Sequence, residues 1–347
     1  MIDLIPSVTY HKEWPFETCE FIGPSGYFWS TGRCLFHSNT IFGPSRRIAV
    51  VPRPALRRLL GSTQLLRRLS RETFYNVLPL SDGRVFFSFG SCVGWIQNNH
   101  VHFINGRERA TKVLRGGCAR MPDGSIVFGE YFSNHAREAV NVYRVRPGEL
   151  NVEIVYRFPP GEIRHIHSIN WDPYTERAFV ATGDIGLECR IVAFDSDFKN
   201  FETIGSGTEA WRAISLEFSP DSIYFGTDAE YEQNYIYRYD RKSRDTHVLS
   251  KVNGPIFFSA ALNSGWVFAS VAEMCPSQCT PNAALYYVDA ITNFVSPVIK
   301  FEKDCLPKKY FQFGMLKLPL LESPVNTLPV TGMAVRGVRA TMALIRE

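Results

Sequence analysis

Apolar and polar positions alternate with a period of two along most of this chain, in short runs separated by turns rich in Asp, Gly and Pro. That is the pattern of β-strands with a buried face rather than of helices. One block recurs about five times: a strand, a turn, and a second strand ending in a polar or acidic residue. Its copies read NVLPLSDGRVFFSF from Asn76, GCARMPDGSIVFGE from Gly117 and HSINWDPYTERAFVATGD from His167. They continue with ISLEFSPDSIYFGTDAE from Ile214 and FSAALNSGWVFASVAE from Phe258. The matched positions Val85, Ile126, Ala178, Ile223 and Trp266 lie 41, 52, 45 and 43 residues apart. A period in that range, filled with strands alone, predicts an all-β propeller whose blades bury their faces only against one another.

Each unit reads as four antiparallel strands, A to D, with A innermost. In one unit WRAISLEF, SIYFGT, YIYRYD and THVLSKV follow one another, and strand C ends in Asp there and in two other units (Asp195, Asp240, Asp289). Asp and Gly suit the tight reversals, and Pro pre-sets φ. Inner strands are expected near Asn76, Cys118, Ser168, Ser215, Ser259 and Phe311, which makes six blades. The N-terminal strands SGYFWSTGRCLFH and SRRIAVVP would complete the last blade and close the ring. Seven blades is the alternative, because the tail at 322–347 also alternates. Residues 1–347 are thus read as one propeller domain, with that tail unassigned.

A different periodicity interrupts the strands at 53–71, RPALRRLLGSTQLLRRLSR. Leu56, Leu59, Leu60, Leu66 and Leu69 fall at helical spacing, broken at Gly61, among Arg53, Arg57, Arg58, Arg67, Arg68 and Arg71. Two readings of this basic amphipathic insertion stay open: docking on an anionic membrane or acidic partner, or covering a blade edge with its arginines in water.

Composition adds exclusions. A formal charge of +4 gives no argument for nucleic acid. The start, MIDLIPSVTYHKEWPF, has no basic segment followed by an apolar core, and no apolar run approaches the roughly 18 residues that span a bilayer. A cytoplasmic protein is therefore expected, with its eight scattered cysteines as reduced thiols. Cys275 and Cys279 are close, but no second Cys or His pair completes a structural zinc site. Nothing in the pattern fixes an oligomeric state.

Aligning the inner strands brings Phe74, Arg115, His165, Arg212, Ile256 and Gln312 to one level at the start of strand A. The ends of strand B open on the same rim and carry Glu130 with Tyr131, Asp184, Asp228 with Glu230, and Glu273. Such an axial mouth is where a propeller gathers one loop from each blade into a concave site. His165 and His167 are two apart on a strand and share a face, with Ser168 turned away. No cofactor is required by this pattern, although with Asp184 or Glu188 the pair has the chemistry of a divalent metal site. Trp211 beside Arg212, and Tyr131 beside Glu130, suit a sugar-like ligand, and the arginines favour an acidic one, since guanidinium grips carboxylate bidentately.

The strings GEYF, AREAVNVYRV, VYRFPPGEIRHIHSINWDPYTERAFVATGD, GSGTEAWRAISLEF and YFGTDA resemble the sialidase-like, BNR-repeat propellers of microbes, over roughly Phe74 to Pro319. The Asp-box of that superfamily is reduced here, in RVRPGELNVEIVY, to Gly148. The resemblance implies a glycosyl hydrolase with three arginines on a substrate carboxylate, a Tyr–Glu nucleophile pair and an Asp acid. Arg115, Arg212 and Arg137 or Arg190 are the arginines on offer, with Tyr131, Glu130 and Asp184. A uronate lyase would use the same groups differently, with His165 as the base. The expectation is a carbohydrate-active propeller on an acidic glycan. Its catalytic residues would be His165, Tyr131, Glu130 and Asp184, and its binding residues Arg115, Arg212, His167, Trp211 and Asp228. A non-catalytic module binding a glycan or protein is the alternative.

Overall fold

The computed structural model describes residues 6–11, 14–337 and 342–346. They form a ring of four-stranded antiparallel sheets, the one at 18–50 carrying in addition Leu320–Leu321, parallel to Thr18–Gly23. Blades 1 to 6 are each built from consecutive strands, within 18–50, 74–103, 118–158, 166–206, 213–251 and 256–302. The N- and C-terminal strands close the ring, as expected, in a further four-stranded sheet. There Met315–Lys317 is innermost, followed by Thr327–Met333 and Met342–Arg346, with Ser7–His11 outermost. Six consecutive blades and one composite blade make seven in all. The N-terminal strands at 18–50 do not complete the C-terminal blade but form a blade of their own, because the tail supplies its own strands B and C.

The core is divided among the blade interfaces. Phe86 and Trp95 of blade 2 pack with Phe128 and Tyr143 of blade 3, and Val127 and Val142 pack with Ile166 and Val180 of blade 4. Packing is close enough to demand glycine where strand B meets the next blade. A Cβ on Gly129 would sit 2.6 Å from Ile166 Cγ2, and one on Gly226 2.4 Å from Ile256 Cβ. Either substitution would push two blades apart.

The inner strands of blades 2, 4, 5 and 6 carry a β-bulge near their start, at Phe74/Asn76, Ile166/Ser168, Ala213/Leu216 and Ile256/Phe258. Phe74, Ile166, Ala213 and Ile256 are therefore the equivalent positions, and each is buried between blades. The alignment at the sequence level had set Phe74 and Ile256 level with His165 and Arg212, one residue out of register. A bulge adds one residue to one strand, and alternation alone does not reveal it.

Two short helices, α1 (Ala55–Leu60) and α2 (Gln64–Ser70), connect blade 1 to blade 2, and α3 (Lys308–Phe311) precedes the inner strand of the composite blade. No described helix is long and apolar enough to cross a membrane. All eight cysteines are free.

Candidate metal centre at the axial mouth

The inner strand of blade 4, Ile166–Asp172, begins beside two histidines whose rings converge. His165 Nε2 lies 3.1 Å from His167 Nε2, and Asp184 Oδ1 lies 3.5 Å from the first and 3.6 Å from the second. Asp184 follows strand B of the same blade, so the backbone pairing of Ile166 with Thr182 sets the carboxylate opposite the rings. All three residues are buried. His165 Nδ1 donates to the carbonyl of Phe132 at 3.2 Å, which leaves the Nε2 lone pair facing the cluster. Between the two rings His167 is then the donor. Burial pushes the His167 imidazole down to about 4, aided by His165 and Arg212, so this ring is neutral at physiological pH. Burial would raise Asp184, but its contacts with His165 and His167 more than reverse it, and the carboxyl lies well below the usual range.

These are the conditions for a cation. Bonds of about 2.0–2.2 Å in tetrahedral geometry need donor atoms about 3.3–3.6 Å apart, and two neutral imidazoles with one carboxylate are a common donor set. His165, His167 and Asp184 are the one such group among the described residues. Support is present for one ring and absent for the other: His165 donates its second N–H to a carbonyl, as a ligating histidine ordinarily does, whereas His167 Nδ1 is buried without a hydrogen-bond partner. Arg164 Nη1 holds Asp184 Oδ2 at 2.8 Å, turning Oδ1 toward the rings.

Arg212, on blade 5, approaches from the other side. Its Nε donates to Asp228 Oδ2 at 3.0 Å, and its Nη1 to the Asp184 carbonyl at 3.2 Å. Its Nη2 is 3.4 Å from Asp184 Oδ1, and Glu209 and Glu230 lie within 4 Å. Burial would weaken its charge, but the carboxylates of Asp228, Asp184 and Glu209 hold it firmly protonated. Burial pushes Asp228 well up, against Arg212 and with help from Glu273 and Asp184. Glu273 is raised in the same way, with Arg212 and Lys308 opposing. Tyr131 packs its ring 4.2 Å from His165, and burial, then Asp184 and Asp228, lifts its phenol to about 12. The mouth thus gathers His165, His167, Asp184, Arg212, Asp228 and Tyr131, with acids outnumbering free cations.

Three expected members lie elsewhere. Glu130 folds back beneath its own blade, where it accepts from the Asn141 amide at 2.8 Å and Tyr143 Oη at 3.1 Å. Arg115 is spent on blade 1, with Nη1 2.5 Å from Glu20 Oε2 and Nη2 2.7 Å from the Leu318 carbonyl. Trp211 stacks on Phe225, and its ring atoms fill the space where a Cβ on Gly205 would stand, 2.2 Å away. It is a core plug, not a sugar platform. Arg137 and Arg190 are paired with Glu188 and Glu162. Arg164 was missed, because it precedes the strand and alternation gave it no direction.

A separate cavity of about 410 Å³ occupies the axis toward the opposite end of the inner strands, lined by Ile169, Trp171, Leu216, Glu217, Phe258 and Leu320 among others. It does not include the histidine cluster. Glu217 on its wall has no ion-pair partner among the described residues, and burial lifts its carboxyl to about 7, against a hydrogen bond from Ser259. A carboxyl raised on folding stays protonated after its unfolded counterpart has ionised. Stability is therefore expected to fall as pH rises from about 4.5 to about 7, by at most about 3 kcal/mol. Thermal melts at pH 5 and 8 check this: Glu217→Gln should flatten the decline, and an equal decline in both proteins would refute it.

No protein-family model matches the chain, and no curated protein sequence matches it. Solved structures do. A chain of the mitotic checkpoint complex is 8% identical, with TM-score 0.58, covering 98% of this chain and 93% of that one. An oligogalacturonate lyase in complex with manganese is 10% identical, with TM-score 0.58, covering 98% and 90%. The likeness is one of fold. At this identity a propeller is shared and no activity follows from it.

Proposed function

We propose that this protein is a divalent-cation-dependent propeller enzyme that cleaves an acidic saccharide by elimination, with the ion held by His165, His167 and Asp184. The observation that carries the reading is the trio of donor atoms at 3.1, 3.5 and 3.6 Å on one buried rim. A protein of like fold is a manganese-bound lyase of a uronate oligosaccharide, which lends support. The hydrolase reading loses its parts: the arginine triad does not assemble, and the Glu130 carboxylate is taken up by Tyr143 and the Asn141 amide.

When bound, the ion would supply Lewis acidity toward the sugar carboxylate, which makes the neighbouring C5 proton removable. In the elimination a base takes that proton, the C4–O bond breaks, a C4–C5 double bond forms, and the departing oxygen gains a proton. Asp228 and Glu273, whose carboxyls burial raises, are the candidate proton acceptors. Tyr131, held as the phenol, is the donor to the departing oxygen. Arg212 keeps Asp184 and Asp228 in place.

The test is a panel of uronate-containing and sialylated oligosaccharides with Mn²⁺ or Zn²⁺ added and removed. Ion-dependent appearance of the unsaturated-uronate chromophore is expected. Reducing sugar without that chromophore would mean hydrolysis and end the lyase reading. A second reading, a binding module without chemistry, is favoured by Arg212 being neutralised inside the fold. Silence on every substrate, with glycan binding retained, would decide for it.

A further inference from the structure

The segment 53–71 is folded inside out. It holds six arginines and no acidic residue, and four of those arginines, Arg53, Arg57, Arg67 and Arg68, pair with acids outside it. Arg53 Nε donates to Glu72 at 2.9 Å, Arg68 Nη1 reaches Asp304 at 2.6 Å, and Arg67 pairs with Glu17. With its cations anchoring it, the segment presents leucines to solvent: Leu56 is 69% exposed, Leu59 62%, Leu65 49% and Leu69 44%. Tyr310 on the neighbouring α3, 53% exposed, extends the apolar surface, and Arg68 Nε ties α2 to α3 through the Phe311 carbonyl. Soluble surfaces carry single apolar residues routinely, whereas a cluster of this kind marks an interface.

We propose that α1, α2 and Tyr310 form a docking patch for an anionic lipid surface. Charge selects the occupant. Arg58 and Arg71 make no side-chain hydrogen bond or ion pair among the described residues, and Lys309 lies 5.5 Å over the Tyr310 ring. Leucines and an interfacial tyrosine fringed by free cations, with no acid in the segment, match what enters the headgroup layer. Position gives the docking a direction. Both helical connections run from an outer strand of one blade to the inner strand of the next, so they stand at the end of the ring where His165 begins its strand. A docked molecule would turn its mouth to the membrane.

Flotation of the full chain with phosphatidylcholine vesicles, and with vesicles also holding phosphatidylserine, tests this without reference to any activity. Binding is expected only with phosphatidylserine, and should weaken as salt is raised. Leu59→Ser with Leu65→Ser should lower it at least about tenfold, and Arg58→Ala with Arg71→Ala should remove most of the phosphatidylserine dependence. All four positions are exposed, so unchanged melting temperatures will certify the fold. Absence of binding at low salt, or equal binding by the leucine variant, would overturn the proposal. So would self-association of the wild type in vesicle-free solution that the leucine variant abolishes, since a second copy would then be the occupant.

Discussion

Arg115→Ala is expected to cost about 3–5 kcal/mol of folding stability, read as a shift of the urea midpoint, while the mouth keeps its geometry. Glu20 is fully buried and Arg115 nearly so. The guanidinium joins Glu20, the carbonyls of Leu318, Tyr75, Cys19 and Glu20, and thereby blades 1 and 2 and the composite blade. Truncation strands a buried carboxylate and several carbonyls at once, and a group left unpaired costs its full desolvation. Lys317 also interacts with Glu20, but burial already pushes its amine down, with Glu20 opposing, so it replaces Arg115 poorly. Glu20→Gln with Arg115→Met should recover much of the loss, because removing both charges leaves none unpaired. A single variant as stable as the wild type would show that the pair is not a brace. Lost substrate affinity in a stable Arg115→Ala would return this residue to the site.

Asp184→Asn and His167→Ala should each weaken Mn²⁺ or Zn²⁺ binding by at least about 10²-fold in calorimetry, with turnover falling in parallel. Each removes one of three donors, and the first also removes the negative charge that offsets Arg164 and Arg212. Arg164→Ala leaves all three donors but frees Asp184 Oδ2 to rotate, so affinity should fall by only about tenfold. That gradation separates ligands from a residue that orients one. Undiminished metal uptake by Asp184→Asn would remove the centre from the histidine cluster.

The propeller was legible because a period-two alternation repeated every 41–52 residues survives insertions in the loops. Strand C endings were legible too: Asp240 accepts from the amides of Lys242 and Ser243, and Asp289 from those of Ile291 and Thr292, which is local chemistry within five residues. Closure by the two termini was legible, but not that Ser7–His11 rather than the strands at 18–50 supplies it, since that strand pairs with Met342–Arg346 across the whole chain. His165 and His167 were found by strand alternation. Trp211 and Arg115 were misplaced for the opposite reason: their directions depend on a 3-10 turn at Glu209–Trp211 and on the approach of Glu20, neither of which alternation encodes. Leucines at helical spacing in 53–71 gave the helices, but not which face looks inward, because that is fixed by Glu17, Glu72 and Asp304 from three separate segments.

The pairing of Ser7–His11 with Met342–Arg346 also sets an order of events during synthesis. The first strand leaves the ribosome more than three hundred residues before its partner. Blades 2 to 6 can form as they emerge, since each is contiguous, whereas blade 1 also waits for Leu320–Leu321 on its inner edge. Until the last strand arrives, the growing arc keeps two open ends: the bare face of blade 1 bearing Trp14, Phe16 and Trp29, and the unmatched side of blade 6. Both are apolar faces able to stick to another chain. A nascent or prematurely terminated chain should therefore be the form that chaperones hold and that aggregates first, and closure by the final strand the step that ends that exposure.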